Sequence, residues 1–292
     1  MMRPAKGVHT ANREKAMRTA FGVVTGALLA AGSVFAQDSN TLSIEGETLI
    51  STAKAPAHME NVSTVYSGWH FRSGETQALQ VDDFDNPGMI FVDQAIDAWD
   101  TVEGTAEKAC SSCHENVEEF AGLRTQLPRV EDGQLVTMEN LINECRTERM
   151  GAEAWKWSKG PMTSMTALIG LQSRGMPMNV SIDGDAEAFW EKGKELYYTR
   201  VGQLDMSCSN CHEDNYGVMI RADHLSQGQI NGFPTYRLKN AKLNSMHGRF
   251  KGCMNNIRAE PFKEGGEEFK ALELYLASRG NGLSVETPSV RN

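Results

Sequence analysis

Cys110-Ser-Ser-Cys113-His114-Glu115 and Cys208-Ser-Asn-Cys211-His212-Glu213 are one phrase written twice, 98 residues apart. Cys-x-x-Cys-His is the attachment motif for haem c. Two thiols on one helical turn reach the two vinyl groups of the porphyrin, and the adjacent histidine supplies the proximal iron ligand. A zinc ribbon needs its Cys-x-x-Cys pairs far closer in sequence, and a thioredoxin-like site needs a βαβ setting that is missing here. The repeat extends beyond the motifs. Leu-x-Ser-Arg-Gly occurs at Leu171–Gly175 and again at Leu276–Gly280, and a lone cysteine follows each motif histidine: Cys145 after 31 residues, Cys253 after 41. The pattern predicts an all-α chain of two tandem cytochrome c-like domains, at 76–177 and 178–292, behind an N-terminal extension at 37–75. Apolar periodicity places helices from Met89 to Trp99, through Met138, Leu141, Ile142 and Cys145, at Met165–Leu171, around Phe189-Trp190, through Phe250, Cys253, Met254 and Ile257, and through Phe269, Leu272 and Leu276. An acidic helix is expected after the first motif, and the stretch Gly74–Gly88 reads as a loop ending in a turn.

Arg3, Lys6, Arg13, Lys15 and Arg18 precede an apolar run from Ala20 to Ala31, and Val34-Phe35-Ala36 resembles a small-residue cleavage site. Residues 1–36 therefore read as a removable export signal, with Met17 as an alternative start. That run is too short to span a bilayer, so the expectation is an exported, periplasmic protein with no membrane anchor. The full chain carries 29 basic and 38 acidic residues. Removing the signal takes away five basic residues and one acidic, leaving 24 against 37. Such a chain is unsuited to nucleic acid or an anionic membrane surface. An anionic substrate would need a local cationic pocket.

Six cysteines in an exported protein first suggest disulfides. Four of them are claimed by the haem motifs, leaving Cys145 and Cys253. These two form either a disulfide or a pair of thiolate ligands, one on the apolar face of each duplicated helix. Other candidates for the second axial position are Met138, Met150, Met162 and Met165 in the first half, and Met219, Met246, Met254, His224 and His247 in the second. The halves differ in one respect. Arg249 stands one helical turn before Cys253, where the first half has Leu141 before Cys145. A guanidinium in that place pushes a thiol towards thiolate and can hold an anion beside it. Arg149 after Cys145, and Arg258 near Cys253, blur the contrast.

From about Ser67 to Asn292 the chain resembles the SoxA family, the dihaem subunits of the SoxAX cytochromes of bacterial thiosulfate oxidation. The resemblance rests on Ala78–Gly88, both haem motifs, Ile142-Asn-Glu-Cys145-Arg and Gly202-Gln-Leu-Asp205. Its most specific parts are Asn231-Gly-Phe-Pro-Thr-Tyr-Arg237, Arg249-Phe-x-x-Cys253 with Arg258-Ala-Glu-Pro, and Glu286-Thr-Pro-Ser-Val-Arg291. The resemblance implies two covalently bound haem c groups, with His114 and Cys145 as axial ligands of the first and His212 and Cys253 of the second. It implies that Cys253 is the catalytic thiol, carried as a persulfide, and that Arg249 binds the substrate anion. The implied reaction joins thiosulfate to a cysteine of a SoxYZ-like carrier, giving a cysteine S-thiosulfonate. Two electrons pass to haem, with a SoxX-like monohaem cytochrome as partner and a further cytochrome c as acceptor. The rival readings are a plain dihaem electron carrier, in which Arg249 is structural, and a dihaem peroxidase with an open or His-ligated iron.

Overall fold

The computed structural model describes residues 41–221 and 223–292. The expected export signal lies outside the described residues. Among the described residues eight α-helices carry the fold: α1 (Gly74–Ala78), α2 (Met89–Trp99), α3 (Met138–Glu144), α4 (Gly160–Leu171), α5 (Glu187–Tyr198), α6 (Cys208–His212), α7 (Met246–Asn256) and α8 (Glu267–Arg279). In the first half α2 packs on α4, and in the second α5 packs on α8. Each haem motif lies in the chain between the two helices of its pair. Helix α4 is buried from Met162 to Gly170, consistent with its all-apolar and small-residue run. Helix α5 approaches α8 closely because Gly193 has no side chain. A Cβ there would stand 2.1 Å from the Ala271 carbonyl oxygen.

Two main apolar clusters follow the two pairs. One gathers Val92, Trp99, Leu127, Ile142, Met162, Met165 and Leu168. The other gathers Trp190, Tyr197, Phe250, Phe269, Leu272, Tyr275 and Leu276, and also takes in Leu135. Leu135 belongs to a hairpin of the first half, Arg129–Glu131 with Gln134–Val136. The second core therefore draws on residues from before the expected boundary near Pro177.

The sequence pattern predicts helices alone, but the described residues also contain eleven strands of two or three residues each. Such strands are too short to display an alternating pattern. The acidic helix expected after the first motif is a single 3-10 turn, Val117–Phe120. The Gly74–Gly88 stretch opens on α1, whose first turn is capped by Ser73. The widest sheet places Thr235–Arg237 between Lys242–Asn244, antiparallel, and Ser289–Arg291, parallel, with Arg237 opposite Arg291.

Residues 41–66 form two hairpins, the first packed on Trp69 and Val81 and the second laid on the second half. Gln227 clasps the second of them: its Oε1 accepts from Tyr66 N at 2.8 Å and its Nε2 donates to Thr64 O at 3.1 Å. Asn61 donates to Glu213 Oε1 at 2.8 Å. Ala55, Met59, Val62 and Val65 close over Leu283.

Candidate functional site

Second motif first. Ser207 caps α6 through its side chain, accepting from Asn210 N, while Asn210 Oδ1 accepts from Ser207 N at 3.0 Å. The motif is thereby wound as a true helical turn. The first motif has Ala109 in the capping place, with no oxygen to offer, and Cys110–Ser112 forms only a 3-10 turn. The His212 imidazole is aimed by the backbone, its Nδ1 lying 2.8 Å from Ser226 O. That bond leaves Nε2 as the free ring nitrogen. Gly228 packs flat against the ring at φ +75°, and a Cβ there would come within 3.0 Å of His212 Cγ.

Helix α7 starts at Ser245, whose side chain accepts from Gly248 N at 3.1 Å, and brings Cys253 to His212. Burial pushes the Cys253 thiol up. Arg249, His212 and Arg237 together overcome it and bring the thiol down to about 7. Arg249 is half-buried, and its guanidinium makes no ion pair or hydrogen bond among the described residues. Arg237 donates to the Asn292 main-chain oxygen at 2.8 Å, and its charge is resisted by burial and by Arg249. Arg72 lies close enough to feel Arg291, Arg249 and Arg237, but is itself paired with Asp223 and held by the carbonyls of His224 and Gly68. Two guanidinium groups, Arg249 and Arg237, thus face one thiol. The apolar face expected around Cys253 is real at Phe250 and Met254, yet the cysteine itself looks towards cations.

In the first half Cys110, Cys113 and Cys145 lie together, near enough for their thiols to oppose one another's ionisation. Cys145 opens a single π-turn, Cys145–Arg149, at the end of α3; such turns recur at functional sites. Burial is the main cause that raises the Cys145 thiol. Its neighbouring cations are occupied or exposed. Arg146 pairs with Glu103 at 2.5 Å, donates to Glu153 O and lies 3.8 Å over the Trp155 ring, while Arg149 is exposed. His114 stands between Phe120 and Trp99, ring centroids 4.8 and 6.1 Å away, with Glu119 at 3.6 Å.

All six thiols are free, and Cys145 and Cys253 stand in different clusters, each beside its own motif. The disulfide alternative is therefore not what this chain adopts. Met138, Met162 and Met165 fill the first core and Met246 the second, while Met150 is buried outside both. Met219 and His224 are exposed on a two-residue hairpin, and His247 is fully buried against Glu273. Sequence reading singled out Arg249 but gave no role to Arg237, Gly228 or the Ser226 carbonyl. Arg237 is 16 residues from Cys253 and arrives through the sheet, so no local spacing marks it; Gly228, a glycine in a loop, carries a signal too common to use.

Two thiols and an aimed imidazole in one turn, backed by a glycine cradle and faced by a third sulfur, fit haem c and define the chain as a c-type cytochrome. Residues 94–178 and 192–285 match the model of the SoxA/TsdA cytochrome c domain, and the chain belongs to that family. It is 54% identical to the L-cysteine S-thiosulfotransferase subunit SoxA of Paracoccus pantotrophus, over 91% of this chain and 94% of the relative. It is 52% identical to the subunit of the same name from Rhodovulum sulfidophilum, over 94% of this chain and the whole of the relative. The crystal structure of SoxXA from P. pantotrophus superposes with a TM-score of 0.84 at 54% identity, covering 88% of this chain and 99% of the matched one.

Proposed function

We propose that this chain is the catalytic subunit of an L-cysteine S-thiosulfotransferase, and that Cys253 is the sulfur on which the reaction turns. The observation that carries the reading is the placing of Cys253 beside His212 with two guanidinium groups, Arg249 and Arg237, close enough to favour its thiolate. A sulfur oxyanion carrying two negative charges is well received by a pair of half-buried arginines, whose planar donors match its oxygens. With thiosulfate held there, its terminal sulfur bonds to the Cys253 thiolate, and two electrons leave. The thiolate of a carrier cysteine then attacks that terminal sulfur. Cys253 departs as thiolate, and the carrier is left as a cysteine S-thiosulfonate. Charge and atoms balance at each step. Arg249 and Arg237 stay with the sulfonate end throughout and keep the terminal sulfur facing Cys253.

Haem c, when bound, supplies the one-electron acceptors that this coupling requires. Cys110, Cys113, His114 and Cys145 would hold one group, and Cys208, Cys211, His212 and Cys253 another. We read the chain as two tandem helical cytochrome c domains, with the short hairpins as attachments. Among the described residues no helix is long and apolar enough to cross a membrane, which accords with a periplasmic place after export. The likeness to SoxXA supports a monohaem SoxX-like partner. A SoxYZ-like carrier and a downstream cytochrome c complete the scheme.

The test is Cys253→Ser in the assembled complex, followed by thiosulfate- and carrier-dependent reduction of an added cytochrome c. Loss of turnover, with the Cys208/Cys211 haem still attached, is the expected result. Turnover at the original rate would leave a plain dihaem electron carrier as the better description.

A further inference from the structure

The carbonyl of Ser226, which takes the hydrogen bond of His212 Nδ1 at 2.8 Å, sits in neither helix nor strand. The short hairpin before it pairs Met219–Ile220 with Asp223–His224. That hairpin closes with Gly217 N donating to Leu225 O at 2.7 Å and Leu225 N donating to Val218 O at 3.0 Å. Its own bonds therefore end at Leu225, one residue short of Ser226. Irregular chain of this kind opens at low cost unless something outside it holds on.

The holds come from one distant segment and grip both sides of Ser226. Upstream, Arg72 forms an ion pair with Asp223, and its Nη2 donates to His224 O at 2.6 Å. That guanidinium is itself fixed: its Nε donates to Gly68 O at 3.3 Å, and the side chain is only 4% exposed. Downstream, the fully buried Gln227 accepts from Tyr66 N at 2.8 Å and donates to Thr64 O at 3.1 Å. Gly228 N adds a bond to Ser226 Oγ at 3.2 Å. Thr64, Tyr66 and Arg72 all belong to the extension that the sequence sets apart at 37–75.

The first motif is served differently. Among the described residues His114 has no carbonyl partner; its Nδ1 lies 3.6 Å from Glu119, and both side chains are more than a third exposed. The contrast matters because a histidine that binds metal through one nitrogen is oriented by the bond its other nitrogen donates, and is made a stronger ligand by it. Stronger donation favours the oxidised iron, so the outer bond is a lever on potential.

We infer that Arg72 and Gln227 are positioning residues of the second haem site: by pinning the chain on either side of Ser226 they hold its carbonyl on the His212 Nδ1 proton, and so set how strongly that imidazole donates. The extension is thereby an outer part of one haem site and of one only. The inference rests on the haem reading given above, and neither residue belongs to the ligand sets.

The experiment compares the purified holoprotein with Arg72→Lys and Gln227→Met, both of which conserve charge, so that a shift of potential does not arise from a lost charge. Two quantities are read. One is the midpoint of each haem in a redox titration, the haems being told apart by their EPR signals. The other is solvent exchange of the Nδ1 protons, followed by NMR on the reduced protein labelled with 15N-histidine. In the unaltered protein the His212 proton should exchange several-fold more slowly than that of His114. Each substitution should speed that exchange and raise the midpoint of the Cys208/Cys211 haem by about tenfold in equilibrium constant, about 59 mV, while the other haem stays where it is. Met59→Ala thins the same hairpin's packing around Leu283 without touching Gln227 or Arg72. It should lower Tm and move neither reading. Equal exchange of the two imidazole protons in the unaltered protein overturns the inference, as does a midpoint that ignores both substitutions or moves as far in Met59→Ala. If one variant does not fold, the other decides, and the comparison of the two imidazoles needs no variant. Haem content is measured on the same samples, so absence of haem, which would sink the functional reading, is not confused with an unmoved midpoint, which would sink this one.

Discussion

Arg146, beside Cys145, is committed to Glu103, Glu153 and Trp155, whereas Arg249, beside Cys253, has no carboxylate to answer among the described residues. That difference in employment, more than any difference in the sulfur atoms, separates a quiescent thiol from one set to meet an anion. Replacing Arg249 with Ala should lower kcat/KM for thiosulfate by about 10- to 150-fold, the equivalent of one charge-assisted hydrogen-bonding group worth ~1.5–3 kcal/mol. Arg249→Lys should restore only part of it, because a point charge replaces a planar fork. Steady-state kinetics on the complex checks both, and an Arg249→Ala enzyme with unchanged kcat/KM would remove this residue from the site. Arg249 was legible from sequence because a helix puts i and i+4 on one side. Arg237 was not, since it reaches the same thiol across a sheet register that no stretch of sequence announces.

At the level of elements, the periodic helices were readable and the pieces that hold them were not. Helices α2, α3 and α7 begin where the apolar pattern begins, at Met89, Met138 and the turn before Phe250. The segment joining Thr52–Lys54 to Thr64–Tyr66 shows no period, yet it docks on α5 and α8. Its His58 lies edge-on to Trp190 at 5.2 Å and near Ser278. Burial, with Arg279 and Lys194 nearby, lowers His58 from 6.5 to about 4. On acidification the unfolded chain takes up this proton first, so the folded state loses stability as pH falls from 6.5 to about 4, and no further below that. Solvent reaches the ring, so the effect is a fraction of the full linkage. His58→Gln should flatten the decline of Tm across that interval. An identical pH profile would mean that the ring is as free to protonate in the folded protein as outside it.

On the scale of the whole molecule, the two repeats of the sequence are not two closed bodies. Leu135 enters the second core, Gly175 N donates to Val285 O at 3.0 Å, and Ile50 N donates to Ser284 Oγ at 2.9 Å. The duplication was plain in the motifs; the ties across it were not, because they join residues up to 234 positions apart through single bonds. Gln227→Ala removes two of them at once, stranding Tyr66 N and Thr64 O. At ~1–3 kcal/mol for each group left without a partner, the loss should be about 2–6 kcal/mol, accompanied by faster exchange of the Tyr66 amide. Unchanged exchange at Tyr66 would show that the hairpin holds itself.

The clasp formed by Gln227 and Asn61 has a bearing on how such a chain can change over generations. The two motif-bearing halves are alike in sequence, but the second leading hairpin is bolted to the trailing half, which therefore has no complete outer wall of its own. A fragment taken from 178–292 would bare Glu213 and the flank of Trp190, so recombination can exchange this protein only as a whole, not by the half.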